Sequence, residues 1–271
     1  MTHDIVDLRT DDGICPTHVF KPEGGGHWPG VVFFMDGLGV RPALFEMGER
    51  MAQGGYHVIL PDLYYRSGFA APGARLFSDR AILEEWKTRV LPTVSIANIM
   101  RDMPAYFAHL DAHAASPRDR IGTTGYCMGG RLSLAAAGHF PDRVAAAASY
   151  HGGGLATGAP DSPHRLAPVM HARVYVAGAK EDSGFDDAQK RRLEEALTEA
   201  NVDHRVETYD ARHGWVPTDT PAHDAAAAER HWETLLALFG DTLRRGAPSL
   251  IDDVAPSRSV APAPTPRPGR R

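Results

Sequence analysis

The chain has 271 residues, of which 43% are hydrophobic and 23% charged, a composition typical of a globular protein with a substantial core. Its net charge of −5 offers no basic surface to a nucleic acid, so we do not expect a nucleic-acid partner. The sequence contains no run of about 18 apolar residues, the length that a membrane-spanning helix needs, so we do not expect a membrane partner either. Only two cysteines are present and no signal-peptide pattern opens the chain, which favours a reducing, cytoplasmic location.

Eight short runs rich in apolar and β-branched residues predict eight strands. They lie at residues 4–8, 17–20, 31–35, 57–60, 120–124, 144–150, 173–177 and 204–209. Several of these runs are continuously apolar rather than alternating, which is typical of strands buried on both faces. Apolar and helix-favouring segments between and after the later strands predict helices at residues 95–111, 128–138, 186–200 and 228–239.

This alternation predicts an α/β fold in which a mostly parallel, eight-stranded sheet carries helices on both faces. We expect one domain over residues 1–245, with ligands bound at the carboxyl ends of the strands. The final segment, residues 246–271, holds six of the 21 prolines and few large apolar residues. Because it cannot bury enough surface to offset the entropy lost on ordering, we predict a mostly disordered tail. Its closing arginines could contact an acidic partner, but a passive tail is favoured.

The segment Gly125-x-Cys127-x-Gly129 lies between the fifth predicted strand and the helix that follows it. A strand, a sharp turn and a helix around a nucleophile form a nucleophile elbow, in which glycines two residues before and after the nucleophile avoid steric clashes. The helix N-terminus would stabilise a thiolate at Cys127. The alternative is a small cysteine that only packs, the interpretation we favour for Cys15 because it has no such context.

Acidic residues follow the seventh predicted strand, where a hydrolase of this architecture places the acid of its triad. Asp182 is the candidate and Glu181 the alternative, whereas Asp186 and Asp187 are better explained as helix-capping residues. His213 follows the eighth predicted strand and is the candidate base. The chain order of nucleophile, acid and histidine therefore predicts a Cys-His-Asp triad.

The turn at the cysteine and the loop after the third strand predict the remaining parts of the site. The N–H groups of Met128 and Gly37 are the candidate oxyanion hole, and Asp36 should lie near the thiol. Further candidates for substrate binding or for modulating the thiol are Tyr64, Arg66, His151 and Trp215. For Tyr64 and Arg66, packing and pairing at the surface is an equally supported alternative.

Two histidines on one predicted helix raise the question of a metal site. His109 and His113 are four residues apart, a spacing that metal sites can use. No HExxH signature and no neighbouring cysteine supports such a site, so solvent-facing histidines are the favoured interpretation. We therefore expect neither a metal ion nor a cofactor.

With these residues assembled, the sequence resembles the dienelactone hydrolase family of the α/β-hydrolase fold. The resemblance rests on the segments MDGLGVRP, PDLYYR, GYCMGGR, YHGGG, VYVAGAKED and YDARHGW. It implies that Cys127 is the nucleophile, Asp182 the acid and His213 the base, with Met128 and Gly37 as oxyanion donors. It also implies hydrolysis of a small-molecule lactone or carboxylic ester through a thioester, of the carboxymethylenebutenolidase type and without a cofactor.

Two positions depart from the family pattern. The family prototype has a glutamate, which holds the resting thiol, where this chain has Asp36. It also has an arginine, which binds the substrate carboxylate, where this chain has Pro217. Two alternatives stay open beside the lactone hydrolase: a general carboxylesterase or thioesterase for small neutral acyl compounds, and a non-catalytic sensor with a reactive thiol.

Overall fold

In the computed structural model, residues 1–24, 26–114 and 121–244 are described, and the predicted tail at residues 246–271 lies outside them. Eight strands form one sheet with the order β1-β2-β4-β3-β5-β6-β7-β8. The strands are β1 Thr2–Thr10, β2 Gly13–Lys21, β3 Gly30–Phe34, β4 His57–Pro61, β5 Ile121–Tyr126, β6 Val144–Tyr150, β7 Arg173–Ala179 and β8 His204–Tyr209. β1 pairs antiparallel with β2, and β2 with β4, while the other neighbours are parallel. The predicted mostly parallel, eight-stranded sheet is confirmed.

Seven α-helices lie in the described part of the chain. They are α1 Pro42–Gln53, α2 Arg75–Ser78, α3 Arg80–Glu85, α4 Ile96–His113, α5 Met128–His139, α6 Asp187–Glu199 and α7 Ala225–Leu243. The four predicted helices are confirmed as α4 to α7, with ends that differ by a few residues. As expected, Asp186 caps α6, because its side chain accepts the N–H of Gln189 at 2.8 Å. None of the described helices combines the length and the apolar composition that a membrane crossing requires.

Helices cover both faces of the central strands, which explains why those strands are continuously apolar. Every residue of β3, β4 and β5 is buried. A Cβ at Gly122 would contact Phe239 and Leu243 of α7, whereas a Cβ at Gly125 would collide with the backbone of Gly129 in α5. Residues three apart on a strand point to opposite faces, so α5 and α7 cover opposite faces of β5.

Between β4 and α4, a series of short helical turns forms what we call the cover segment, residues 75–94. It contains α2, α3, a π-turn at Trp86–Val90 and a 3₁₀ turn at Leu91–Val94. The segment packs on the loop that follows β3, because a Cβ at Gly37 would lie 3.2 Å from the Trp86 ring. The cover segment therefore lies over the carboxyl end of β3, the edge of the sheet where ligands bind in α/β folds.

Candidate active site

Cys127 occupies a sharp turn between β5 and α5. Its backbone has φ +55° and ψ −118°, a conformation that costs a non-glycine residue free energy. A Cβ at Gly125 would lie 2.0 Å from the carbonyl oxygen of Gly129, and a Cβ at Gly129 would lie 2.3 Å from that of Phe34. The steric requirement for glycine on both sides of the cysteine is thus confirmed, and the turn presents a partly exposed thiol to the cleft.

Asp182 and His213 meet at the carboxyl ends of β7 and β8. His213 Nδ1 lies 2.7 Å from Asp182 Oδ2, and Asp182 Oδ1 accepts the N–H of Gly184 at 2.8 Å. Glu181, the sequence alternative, lines the same cleft but is exposed and makes no hydrogen bond to His213 in the described residues. The structure therefore brings Asp182, and not Glu181, to the histidine.

Electrostatic interactions favour the charged forms of this pair. Burial lowers the pKa of His213, but hydrogen bonds with Asp182 and Cys127 outweigh burial and raise that pKa to about 10. Burial raises the pKa of Asp182, yet the hydrogen bond and the positive charge of His213 hold it below its ordinary value. His213 is thus hydrogen-bonded to Asp182 and interacts electrostatically with Cys127, which lines the same cleft.

Of the two predicted oxyanion donors, Met128 follows the cysteine in the chain and Gly37 lines the same cleft. Met128 is the first residue of α5, and Gly37 lines the cleft in the loop after β3. In the described part of the chain, neither residue has a hydrogen-bond acceptor for its N–H.

The carbonyl of Gly37 accepts the hydroxyl of Tyr64 at 2.7 Å, and that hydroxyl accepts the indole N–H of Trp86 at 2.7 Å. Tyr64 is buried outside the cleft, so its observed role is to fix the Gly37 loop, and the structure does not place it against a substrate.

Asp36 does not have the contact that the family pattern implies. Its carboxylate receives both Nη atoms of Arg41, at 2.7 and 3.0 Å, and the N–H of Leu38 at 2.9 Å. Arg41 also binds Asp219, through Nε at 2.6 Å and Nη2 at 3.0 Å. Asp36 lines the cleft, but in the described residues it makes no hydrogen bond to Cys127. Asp36 thus lies at the same cleft as the thiol, but a buried arginine binds both of its oxygens, so it does not make the contact that the glutamate of the family prototype makes.

Arg66 does not reach the cleft, and the packing alternative is correct for this residue. Its guanidinium binds the buried Asp102 at 2.6 and 2.8 Å and Asp12 at 2.8 Å. Its side chain is only 9% exposed. The two carboxylates, which come from α4 and the β1–β2 turn, hold the arginine away from the predicted site.

The ring of His151 lies against the backbone of Cys127, and the ring of Trp215 packs against His151. His151 lines the cleft, and its Nδ1 accepts the backbone N–H of Cys127 at 3.2 Å. Burial and the nearby charge of His213 lower the pKa of His151 well below its ordinary value, so the ring is neutral and can act as an acceptor. Trp215 is fully buried with its ring edge-on to His151, with centroids 4.9 Å apart, and does not line the cleft.

These groups open into a cleft of about 810 Å³. The large apolar side chains of the lining come from the Gly37 loop and the cover segment: Leu38, Leu76, Phe77, Leu83 and Trp86. The polar lining outside the triad includes two cations of the loops after β7 and β8, Lys180 and Arg212. Sequence reasoning missed these side chains, although Asp79, followed by apolar residues at helical spacing, could have predicted the helix α3.

The histidines on α4 require one correction. His109 is partly buried rather than solvent-facing, with its ring 5.5 Å from that of His57 and 4.7 Å from that of His113. Burial lowers the pKa of both His57 and His109 to about 4. Within the described ranges, no group of three or more histidine, cysteine, aspartate or glutamate side chains is arranged to hold a metal ion.

Known proteins are similar to this chain in sequence and in fold. Residues 15–243 match the sequence profile of the Dienelactone hydrolase family. A carboxymethylenebutenolidase from Rhodococcus opacus is 26% identical over 87% of this chain and 89% of its own length. A protein from Synechocystis sp., provisionally named carboxymethylenebutenolidase, is 28% identical over 84% of this chain and 92% of its own length.

A solved structure from Klebsiella pneumoniae, provisionally named dienelactone hydrolase, superposes with a TM-score of 0.77 at 22% identity. The superposition covers 88% of this chain and 98% of that one. This likeness confirms the predicted α/β-hydrolase fold. Together with the match over residues 15–243, it shows that the chain is a hydrolase that belongs to the dienelactone hydrolase family.

Proposed function

We propose that the protein hydrolyses a lactone or carboxylic ester through Cys127, His213 and Asp182, with a thioester intermediate. The observation that carries the proposal is that His213, hydrogen-bonded to Asp182, lines the same cleft as the strained Cys127 and interacts with it electrostatically. The relatives named carboxymethylenebutenolidase support a reaction of that type. Asp182 would fix the tautomer of the neutral His213 ring and stabilise the imidazolium that forms during the reaction, as the aspartate of a Ser-His-Asp triad does.

In the first half of the proposed reaction, the thiol proton resides on His213 and the sulfur attacks the ester carbonyl carbon. The negative charge that develops on the carbonyl oxygen is stabilised by the N–H groups of Gly37 and Met128. When the tetrahedral intermediate collapses, the bond to the alkoxy oxygen breaks and His213 donates its proton to that oxygen. The product of this half is a thioester at Cys127, with the alcohol released or, for a lactone, still attached to the acyl group.

In the second half, water replaces the alcohol. His213, now neutral, takes a proton from the water as its oxygen attacks the thioester carbon. The same oxyanion donors stabilise the second tetrahedral intermediate, and its collapse breaks the carbon–sulfur bond. The acid leaves and the thiolate–imidazolium pair is restored. Because Arg41 holds Asp36, the proposed cycle does not require Asp36 to release the thiol.

The test is p-nitrophenyl acetate hydrolysis by Cys127→Ala, with Cys15→Ala as the matched control. Cys15 is fully buried, and burial raises the pKa of its thiol to about 12, so this second cysteine should neither react nor matter for turnover. We expect Cys127→Ala to lose at least about 10³-fold in kcat and Cys15→Ala to keep its rate. Mass spectrometry should detect the acyl group on Cys127 after rapid acid quench.

The same experiment decides between the proposal and its alternatives. Full activity in Cys127→Ala contradicts the mechanism. Labelling of Cys127 by iodoacetamide in a protein that turns over no ester or thioester supports the non-catalytic sensor, whereas faster turnover of thioesters than of lactones and oxygen esters supports a thioesterase. The single-domain boundary at residue 245, the cytoplasmic location and the lack of a nucleic-acid partner stay predictions.

A further inference from the structure

We infer that the substrate carries a bulky apolar group, which the apolar wall of the cleft binds. The inference rests on the proposed ester or lactone hydrolysis and specifies its substrate class. We define the apolar wall as Leu38, Leu76, Phe77, Leu83 and Trp86. Four of these five side chains belong to the cover segment.

The apolar wall borders the point where the substrate carbonyl would sit. A Cβ at Gly37, one of the proposed oxyanion residues, would lie 3.2 Å from the Trp86 ring and 3.8 Å from Leu76. The indole N–H of Trp86 is satisfied by the hydroxyl of Tyr64, which leaves the ring carbons available for apolar contact. A group attached to a carbonyl held at Gly37 therefore begins next to this surface.

Phe77 shows that part of the wall is exposed in the free protein. Its side chain is 64% exposed, and of the large apolar side chains exposed in the described part of the chain it is the one that lines the cleft. Covering an exposed aromatic ring with an apolar group removes both surfaces from water, which is favourable. A substrate with an apolar group would gain this contact, and one with a small acyl group would not.

The cations near the cleft do not form a buried, unpaired site that could bind an anionic substrate as well as the apolar wall binds an apolar group. Arg41, the buried cation, uses its Nε and both Nη groups on Asp36, Asp219 and the carbonyl of Gly39. Lys180 and Arg212 line the cleft but are exposed, and a solvent-exposed ion pair contributes little binding free energy. Apolar contact is therefore the stronger source of selectivity in this cleft.

The size of the cleft is consistent with such a substrate. Its volume of about 810 Å³ lies in the upper part of the range of roughly 300–1,000 Å³ that holds drug-sized ligands. An acetyl group would leave most of that space to water. A longer acyl chain or an aryl group would extend from Gly37 along the apolar wall.

The experiment compares p-nitrophenyl esters of increasing acyl length, from acetate through butyrate and hexanoate to octanoate. Burial of each added methylene should raise kcat/KM by up to about fourfold until the wall is covered. A second pair of esters tests charge at equal length: p-nitrophenyl pentanoate and the p-nitrophenyl monoester of glutaric acid, which ends in a carboxylate. We expect the neutral ester to be hydrolysed faster.

Variants then assign the chain-length dependence to the wall. Phe77→Ala and Leu83→Ala should flatten the rise of kcat/KM with chain length. Ile5→Ala is the matched control, because Ile5 is also 64% exposed but lies on β1 and does not line the cleft. It should leave the rise unchanged.

The outcomes separate the inference from the proposed function. A flat series, a faster glutarate ester, or Phe77→Ala and Leu83→Ala variants with the wild-type rise would overturn the apolar-group inference. In each case, Cys127-dependent hydrolysis of the acetate ester would leave the proposed function standing. A protein that hydrolyses none of these esters would overturn both.

Discussion

Two buried carboxylates beside the cleft are each paired with a cation, but only one of the cations can titrate. On the His213 side, Asp182 binds an imidazole that can gain and lose a proton. On the Arg41 side, Asp36 and Asp219 bind a guanidinium that stays charged at any pH the fold would survive. The same ion-pair chemistry thus gives a titratable pair on one side and a fixed link between loops on the other.

The largest effect should come from neutralising the carboxylate on the His213 side. Asp182→Asn removes the charge that stabilises the imidazolium and disturbs its tautomer, so we expect kcat to fall by about 10⁴-fold. Glu181→Gln, in the same loop, should change kcat little because Glu181 does not bind His213. Steady-state hydrolysis of p-nitrophenyl acetate measures both, and equal losses in the two variants would contradict the assignment of the acid.

Breaking the Arg41 side should instead reduce stability. Arg41→Met leaves Asp36 buried without its cation, and we expect the free energy of unfolding to fall by about 3–5 kcal/mol. Asp219→Asn removes a partner that is 39% exposed, so its loss should be no more than about 1 kcal/mol. Urea denaturation gives both values. An Arg41→Met protein as stable as the wild type would show that this ion pair does not hold the loops together.

The two sides should also respond differently to pH. The pKa of His213 is about 10 in the folded protein, above its ordinary value of 6.5, so its contribution to stability is fully present below pH 6.5 and is lost as pH rises through 10. The stability difference between wild type and His213→Gln should therefore shrink between these pH values. The difference between wild type and Asp219→Asn should change less over the same range, because the guanidinium that Asp219 binds stays charged throughout it. Urea midpoints at pH 6.5, 8 and 10 test this, and parallel curves for both variants would remove the distinction.

The smallest effect should come from His151, whose contact with Cys127 is to the backbone N–H. His151→Leu removes one of the two acceptors of that N–H, and the carbonyl of Tyr150 at 3.2 Å remains, so we expect kcat to fall by no more than about tenfold. His151→Asn keeps an acceptor oxygen near the position of Nδ1 and tolerates the φ of +41°, so it should recover most of the rate. If the asparagine variant is no better than the leucine variant, the ring acts by packing rather than by hydrogen bonding.

Much of the fold and of the candidate site could be predicted because the signals are local. The continuous apolar runs of β3 and β4 reflect burial on both faces, and the glycines around Cys127 reflect collisions within the same turn. The positions of Asp182 and His213 follow from strand order, because parallel strands bring their carboxyl ends to one edge. The helix α1 also has a local signal, a stripe of buried Leu44, Met47 and Met51, that was open to prediction.

The side-chain pairings that the sequence could not predict join residues that are far apart in the chain. Arg41 and Asp219 are 178 residues apart, and Arg66 and Asp102 are 36 apart, so no local pattern reveals either pair. These partners decided two points that the sequence left open: the carboxylate of Asp36 binds an arginine, and the guanidinium of Arg66 binds Asp102 and does not line the cleft.

The sequence by itself determined the eight strands, the helices α4 to α7, the cysteine turn and the chain order of the candidate triad, because each rests on residues that are neighbours or on the rules of parallel sheets. Only the tertiary structure decided which carboxylate meets His213, what occupies Asp36, and that the cover segment lines the cleft with apolar side chains. The physical reason is that a charged or apolar side chain acts on whatever lies within a few ångströms of it. In the loops at the strand ends, those neighbours come from distant parts of the chain.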